Sequence, residues 1–167
     1  MTKTIVLVGM MGSGKSSIGK ELARKTGLDF IDTDSEIEKI SKKKIKEIFS
    51  TKGEVFFRKL EEKICKKFIN GEKKIVSIGG GAFMNKHIRN VIAKCGKSFW
   101  IEVNKDTLIK RLSNSNNIRP ILDYRNLNKS ISEIMNTRKG IYTKADVKIK
   151  VLNKNKSEIV NKIIKFI

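Results

Sequence analysis

Residues Gly9-Met10-Met11-Gly12-Ser13-Gly14-Lys15-Ser16 spell G-x-x-x-x-G-K-S, and this octapeptide constrains the fold more tightly than any other feature of the chain. The signature requires a strand before it and a helix after it. The β-branched apolar run from Thr4 to Val8 supplies the first, and the amphipathic stretch holding Ile18, Leu22 and Ala23 supplies the second. Glycines let successive backbone N–H groups turn inward towards a polyphosphate, and the helix N-terminus adds its positive end. Lys15 places a point charge where β- and γ-phosphates would lie, and the Ser16 hydroxyl offers a ligand for Mg²⁺. A plain glycine-rich turn is the alternative, but the lysine, the serine and both flanks weigh against it. The expectation is a chain that binds a nucleoside triphosphate.

Strand-like and helical segments alternate along the rest of the chain, the pattern of a doubly wound parallel sheet. Strands are expected at 4–8, 29–31, 75–78, 99–103 and 147–151. Helices are expected at 15–26, 45–49, 86–93, 105–112 and 127–142. A long helix after Gly53 has Phe57, Leu60, Ile64 and Phe68 on one face, and Ser157 is expected to cap a terminal helix with an Ile159, Val160, Ile163, Ile164 and Ile167 stripe in the core. The polar, Asn-rich stretch 113–126 reads as a mobile flap. With 167 residues, one proline (Pro120) and no linker, a single domain over 1–167 is expected. No apolar run is long enough for a membrane span and no signal-peptide pattern opens the chain, so a cytoplasmic protein without a membrane partner is expected. Cys65 and Cys95 lack metal or redox spacing, and His87 reads as a surface residue. The net charge of +20 raises nucleic acid as a partner. The lysines are nevertheless scattered over many elements without a basic arm, so no nucleic-acid partner is expected.

A nucleotide loop alone does not separate a kinase from a GTPase or a motor, and four further features narrow the choice. Asp32-Thr33-Asp34 falls at the carboxyl end of the second strand, where open parallel sheets bind ligands. One carboxylate can turn to Mg²⁺ and the other to an acceptor hydroxyl, although a helix cap with a solvated acid fits equally. Gly79-Gly80-Gly81 ends the third strand, where the backbone can approach a small ligand closely. Arg58 has Glu61 three residues on to hold its guanidinium, and it can clamp a carboxylate; sequence alone favours a surface ion pair. Arg119 precedes Pro120 inside the flap, placed to close over a transferring phosphoryl group. Arg138 lies late in the following helix.

Together these motifs resemble the shikimate kinase family over nearly the whole chain. The matching pieces are Gly9–Ser16 with Ser17-Ile18-Gly19, Phe30 to Asp34, Ile48-Phe49 before Gly53-Glu54, Phe57-Arg58 with Glu61-Glu62, Ser77 to Ala82, Arg119-Pro120, and Arg138 with Tyr142. The resemblance implies a P-loop NTPase-type three-layer α/β/α fold with a five-stranded parallel sheet, a mobile lid at about 113–126 and an acceptor-binding helical region at about 34–62. It implies transfer of the ATP γ-phosphoryl group to the 3-hydroxyl of shikimate with one Mg²⁺ ion; separately, no element looks spare, so a monomer is expected. By likeness, Asp34 binds and orients the acceptor hydroxyl, and Arg58 and Arg138 hold the carboxylate beside Gly80 and Gly81. Lys15 and Arg119 stabilise the transferring group, and Ser16 and Asp32 position Mg²⁺. Gly12, Ser13, Gly14, Lys15, Ser16, Ser17, Arg111 and Arg119 bind ATP, while Phe49 and Phe57 line the acceptor ring. Two departures stand out: Gly140 occupies a place where many members carry proline, and Asn153-Lys154-Asn155-Lys156 lacks the arginine and proline common on the adenine side. A kinase of gluconate or of a nucleotide, and a nucleotide-regulated nucleic-acid-binding protein, are the competing readings.

Overall fold

A computed structural model describes residues 3–152 and 155–167, and its centre is β1, Thr4–Val8. Ile5, Val6, Leu7 and Val8 are at most 2% exposed. An unbroken apolar run of this kind suits a strand covered on both faces. Around it the sheet has the order β2-β3-β1-β4-β5, with β2 Phe30–Asp32, β3 Ile75–Ser77, β4 Gly96–Glu102 and β5 Val147–Lys150. All four pairings are parallel. The fold is therefore α/β with a five-stranded parallel sheet.

Parallel neighbours need crossovers, and crossovers are right-handed. The connection leaving β1 towards β2 and the one leaving β3 towards β4 run in opposite directions, so they cover opposite faces. α1 (Lys15–Thr26) accordingly meets α7 (Lys156–Ile164), and α3 (Ile45–Phe68) meets α4 (Lys86–Cys95). The Lys25 ammonium joins the first pair, donating to Ser157 Oγ at 2.6 Å and Asn161 Oδ1 at 3.0 Å. α2 (Thr33–Ser41), α5 (Lys105–Ser113) and α6 (Leu127–Tyr142) complete the helices. No helix among the described residues is long and apolar enough to cross a membrane.

Several boundaries depart from expectation for identifiable reasons. β2 lies one residue later than 29–31, because Asp32 both ends the strand and caps α2. β4 begins at Gly96, three residues early, since Gly96, Lys97 and Ser98 pair with Thr4, Ile5 and Val6; backbone pairing, not side-chain polarity, sets that edge. The segments before and after Gly53 form one element kinked at that glycine, where φ is 80° and ψ 170°. The terminal helix is capped by the Asn155 side chain, which accepts from Glu158 N–H at 2.9 Å, rather than by Ser157. Ile167 lies beyond the helix and is 40% exposed, so it leaves the core stripe. Of the adenine-side departure, Asn153 and Lys154 lie outside the described residues.

Helix α1 crosses β2 at Gly19, where a Cβ would stand 2.2–3.0 Å from three atoms of the Phe30 ring. In an open helix, Gly→Ala gains about 1 kcal/mol. Here overpacking against the ring, typically about 1–3 kcal/mol, outweighs it. Gly19→Ala should lower the thermal unfolding midpoint, and Phe30→Leu on the Gly19→Ala background should recover part of the loss. A midpoint that rises in the single variant would contradict this account of the α1–β2 contact.

Candidate active site

The carboxyl ends of β2, β3 and β1 are adjacent, and the three loops leaving them line one cleft of about 940 Å³. Its walls include every site residue singled out from the sequence: Gly12 to Ser17, Asp32, Asp34, Arg58, Gly80, Gly81, Arg111, Arg119 and Arg138, together with Phe49 and Phe57. Within the stretch 34–62 expected to bind the acceptor, the sequence did not single out Glu38, Lys44, Ile45 and Lys46 of the α2–α3 turn, which also face the cleft. That turn is pinned by Glu38, which accepts from Ile45 N–H and from the Lys44 ammonium, both at 3.0 Å. A Glu seven residues before its backbone partner follows no helical or strand spacing, so no sequence pattern signals it.

At the nucleotide end, Lys15 is 8% exposed and its ammonium donates to the carbonyls of Gly9 at 2.8 Å and Met10 at 2.9 Å. Burial pulls its pKa down from 10.5 to about 8, against the attraction of Asp34. The Ser16 hydroxyl donates to Asp32 Oδ2 at 2.5 Å. The other oxygen of Asp32 accepts from the N–H groups of Asp34 at 3.0 Å and Ser35 at 3.2 Å. Asp32 thus serves as helix cap and faces the phosphate loop at once, and neither reading excludes the other. Arg111 reaches back across the loop to donate to the Gly12 carbonyl at 3.1 Å.

The acceptor end is built around Gly79-Gly80-Gly81. A Cβ on Gly79 would stand 2.6 Å from Glu61 Oε1 and 2.9 Å from Asp34 Oδ1. On Gly81 it would stand 2.6–2.8 Å from the Arg58 guanidinium, and on Gly80 3.2 Å from Arg138 Nη1. Two carboxylates and two guanidiniums therefore crowd onto this backbone, and a side chain at any of the three glycines would press on one of them. The Tyr142 hydroxyl fixes this backbone by donating to the Gly80 carbonyl at 2.5 Å.

Arg58 is not the surface ion pair that its sequence context favoured. Its partner Glu61 is 1% exposed, and Arg58 Nη1 donates to Glu61 Oε2 at 2.8 Å while Nε and Nη2 share Glu54 Oε1. Burial disfavours the Arg58 charge, yet Glu61 and Glu54 hold its pKa above the ordinary value. Burial also raises the Glu61 carboxyl, with Arg58 opposing it. Arg138 is 5% exposed, and its Nη1 has no hydrogen-bond acceptor among the described residues. A buried donor without an acceptor needs an explanation, and an anion in the cleft would supply one.

Asp34 lies between the two ends. Burial and the nearby Asp32 raise its pKa, while Arg119, Lys15 and Arg58 draw it down. Arg119 Nη1 comes within 3.8 Å of Asp34 Oδ2. Phe49 and Phe57 close one wall with ring centroids 4.7 Å apart. The arrangement can seat a polyphosphate at one end and a small carboxylated acceptor at the other, with a carboxylate and a cation where they meet.

Comparison with known proteins agrees with this geometry. The family model described as shikimate kinase matches residues 11–167. A shikimate kinase of Persephonella marina is 40% identical over 162 residues, covering 97% of each chain. Among solved structures, a shikimate kinase from Acinetobacter baumannii in complex with shikimate superimposes with a TM-score of 0.91 at 27% identity, covering 99% of this chain and 93% of that one. A gluconokinase from Sinorhizobium meliloti, at 19% identity and a TM-score of 0.63 over 98% of this chain and 90% of that one, shares the fold.

The buried Lys15 charge carries a testable cost. Its folded pKa of about 8 lies below the ordinary 10.5, a depression worth about 3 kcal/mol before its hydrogen bonds are replaced. The penalty is full below the folded value and disappears as pH climbs from there through the unfolded value. Lys15→Met should therefore unfold at a higher temperature than the parent at pH 7, with the advantage shrinking across that window. A difference independent of pH would trace the effect to something other than the ammonium.

Proposed function

The chain belongs to the shikimate kinase family, and on that premise we infer that it transfers the ATP γ-phosphoryl group to the 3-hydroxyl of shikimate. The product, shikimate 3-phosphate, feeds aromatic amino-acid biosynthesis. The observation that carries the reading is the convergence of Arg58 and Arg138 on the Gly79–Gly81 backbone, with Asp34 beside them. A buried guanidinium, Arg138, and a half-buried one, Arg58, suit a carboxylate, and an adjacent anionic oxygen suits a hydroxyl. A neutral polyol would bring no anion to the buried Arg138 Nη1, which lacks an acceptor among the described residues.

In this reading Arg58 and Arg138 hold the shikimate carboxylate, Gly80 and Gly81 let the ring approach, and Phe49 and Phe57 pack on it. Asp34 accepts the hydrogen bond of the attacking hydroxyl and aligns it with the γ-phosphorus. Its raised pKa, caused first by burial, brings it closer to the range useful for receiving a proton. Phosphoryl transfer leaves the protein little covalent work, so positioning and charge carry the catalysis. Gly12 to Ser17 cradle the phosphates, and Arg111 lies along the nucleotide. Lys15 leaves the Gly9 and Met10 carbonyls for the phosphates, and Arg119 faces the charge that develops on the transferred group.

The residues present fit a magnesium ion. The Ser16 hydroxyl and Asp32 carboxylate are paired hard oxygens at the phosphate loop. An ion held mainly by phosphates needs only one or two protein oxygens. When bound, the ion neutralises phosphate charge. The proposal includes a single domain with a lid at about 113–126 and an acceptor-binding region at about 34–62, acting as a cytoplasmic monomer.

ADP release from Mg·ATP should require shikimate and be absent with quinate, gluconate or a nucleoside monophosphate. Release with another acceptor alone would keep the kinase and remove the carboxylate clamp. Arg58→Ala should weaken shikimate binding by about 10- to 150-fold, the loss of a charge-assisted pair, with ATP binding unchanged by calorimetry. Asp34→Asn should bind both substrates yet lose turnover by about 10²–10⁴-fold; a near-normal kcat would remove its role.

A further inference from the structure

The backbone of Arg119 is held from both sides. Its carbonyl accepts from Leu122 N–H at 3.0 Å, closing a turn whose first inner residue is Pro120, where a fixed φ is favourable. Leu122, 7% exposed, roots that turn in the core. The Arg119 N–H donates in turn to the phenolic oxygen of Tyr124 at 3.0 Å.

Tyr124 is itself well anchored. It opens a short 3-10 turn, Tyr124–Asn126, capped by Asp123, whose Oδ1 accepts from Arg125 N–H at 3.0 Å. The Asp123 N–H donates to Ser130 Oγ on α6 at 3.1 Å, and the next residue, Ile131, is fully buried. The phenol is thus tied through Asp123 to the helix that carries Arg138 at its far end. Tyr124 is 37% exposed and stands outside the core cluster, so its ring adds little there. The hydroxyl is what distinguishes this side chain from phenylalanine.

We propose that Tyr124 is a positioning residue for phosphoryl transfer, its hydroxyl holding the Arg119 backbone so that the guanidinium stands beside Asp34. The assignment rests on the role given to Arg119 above. A long side chain on a loop must give up backbone and rotamer freedom to reach one geometry. Tying the Arg119 backbone to Tyr124 within the lid removes part of that cost before the substrates arrive. Tyrosine suits the task because its rigid ring spans from one turn to the next with two torsions. Serine or threonine would fall short, and phenylalanine would fill the same volume without the bond.

The test is steady-state kinetics with shikimate and Mg·ATP on the parent, Tyr124→Phe, Arg119→Ala and the double variant. Tyr124→Phe should lower kcat about three- to tenfold with KM for both substrates nearly unchanged, the loss of one neutral hydrogen bond expressed in the transition state. On the Arg119→Ala background the same change should cost nothing further. A parental kcat in Tyr124→Phe beside a slow Arg119→Ala overturns the assignment of Tyr124 alone. An equal loss on both backgrounds overturns it too, because Tyr124 would then act without Arg119. A change confined to KM overturns it by making the contact one of substrate entry. A normal kcat in Arg119→Ala removes the role of Arg119, and the assignment of Tyr124 falls with it.

Discussion

The strand order β2-β3-β1 is the constraint on which the site depends. Adjacent strands lie about 4.8 Å apart, so three loops leaving the same edge of consecutive strands must share one crevice. β1 delivers the phosphate loop, β2 delivers Asp32 and Asp34, and β3 delivers the triple glycine. Because all pairings are parallel, every one of these loops leaves from the carboxyl end. An antiparallel strand at any of the three positions would send its loop to the opposite edge. The burial of β1 on both faces keeps this order in place, since an apolar strand with neighbours on both sides cannot serve as an edge.

Within that crevice the charges are poised against one another. Lys15 sits below its ordinary pKa and Asp34 and Glu61 above theirs, each chiefly because burial penalises the ionised form. Each opposite charge offsets part of another's penalty: Glu61 steadies Arg58, and Arg119 and Lys15 steady Asp34. Arg138 keeps one donor without an acceptor. Such a cluster contributes little to folding on its own. It is well suited to anionic ligands, which relieve several of these penalties on binding.

Glycine and tyrosine do the spatial work around these charges. The Gly79–Gly81 backbone passes where side chains would strike Glu61, Asp34 and Arg58. Tyr142, stacked near Trp100 with centroids 5.7 Å apart, holds the Gly80 carbonyl from below. The acceptor end is therefore shaped by backbone at its floor and by guanidiniums at its sides.

Much of this is legible in the amino-acid sequence. G-x-x-x-x-G-K-S placed a loop between β1 and α1 because its glycine, lysine and serine spacing has a local physical cause. Helical periodicity located α1 and α6 to the residue, since caps and apolar spacing are properties of a few neighbouring residues. The strand edges at Phe30 and Gly96 were less legible, because pairing partners far along the chain decide where a ladder starts. Asn155 took the cap from Ser157 for a similar reason: both residues can cap, and packing of α7 on α1 engages Ser157 with Lys25. What the sequence determined by itself was the set of chemical groups and the local elements that bear them, because those depend on short-range spacing. Only the tertiary structure decided that Arg58 pairs with a buried Glu61, that Glu38 and Lys44 of the α2–α3 turn face the cleft, and that Tyr124 reaches Arg119. Those outcomes depend on which segments the sheet order brings together, and no local spacing encodes that proximity.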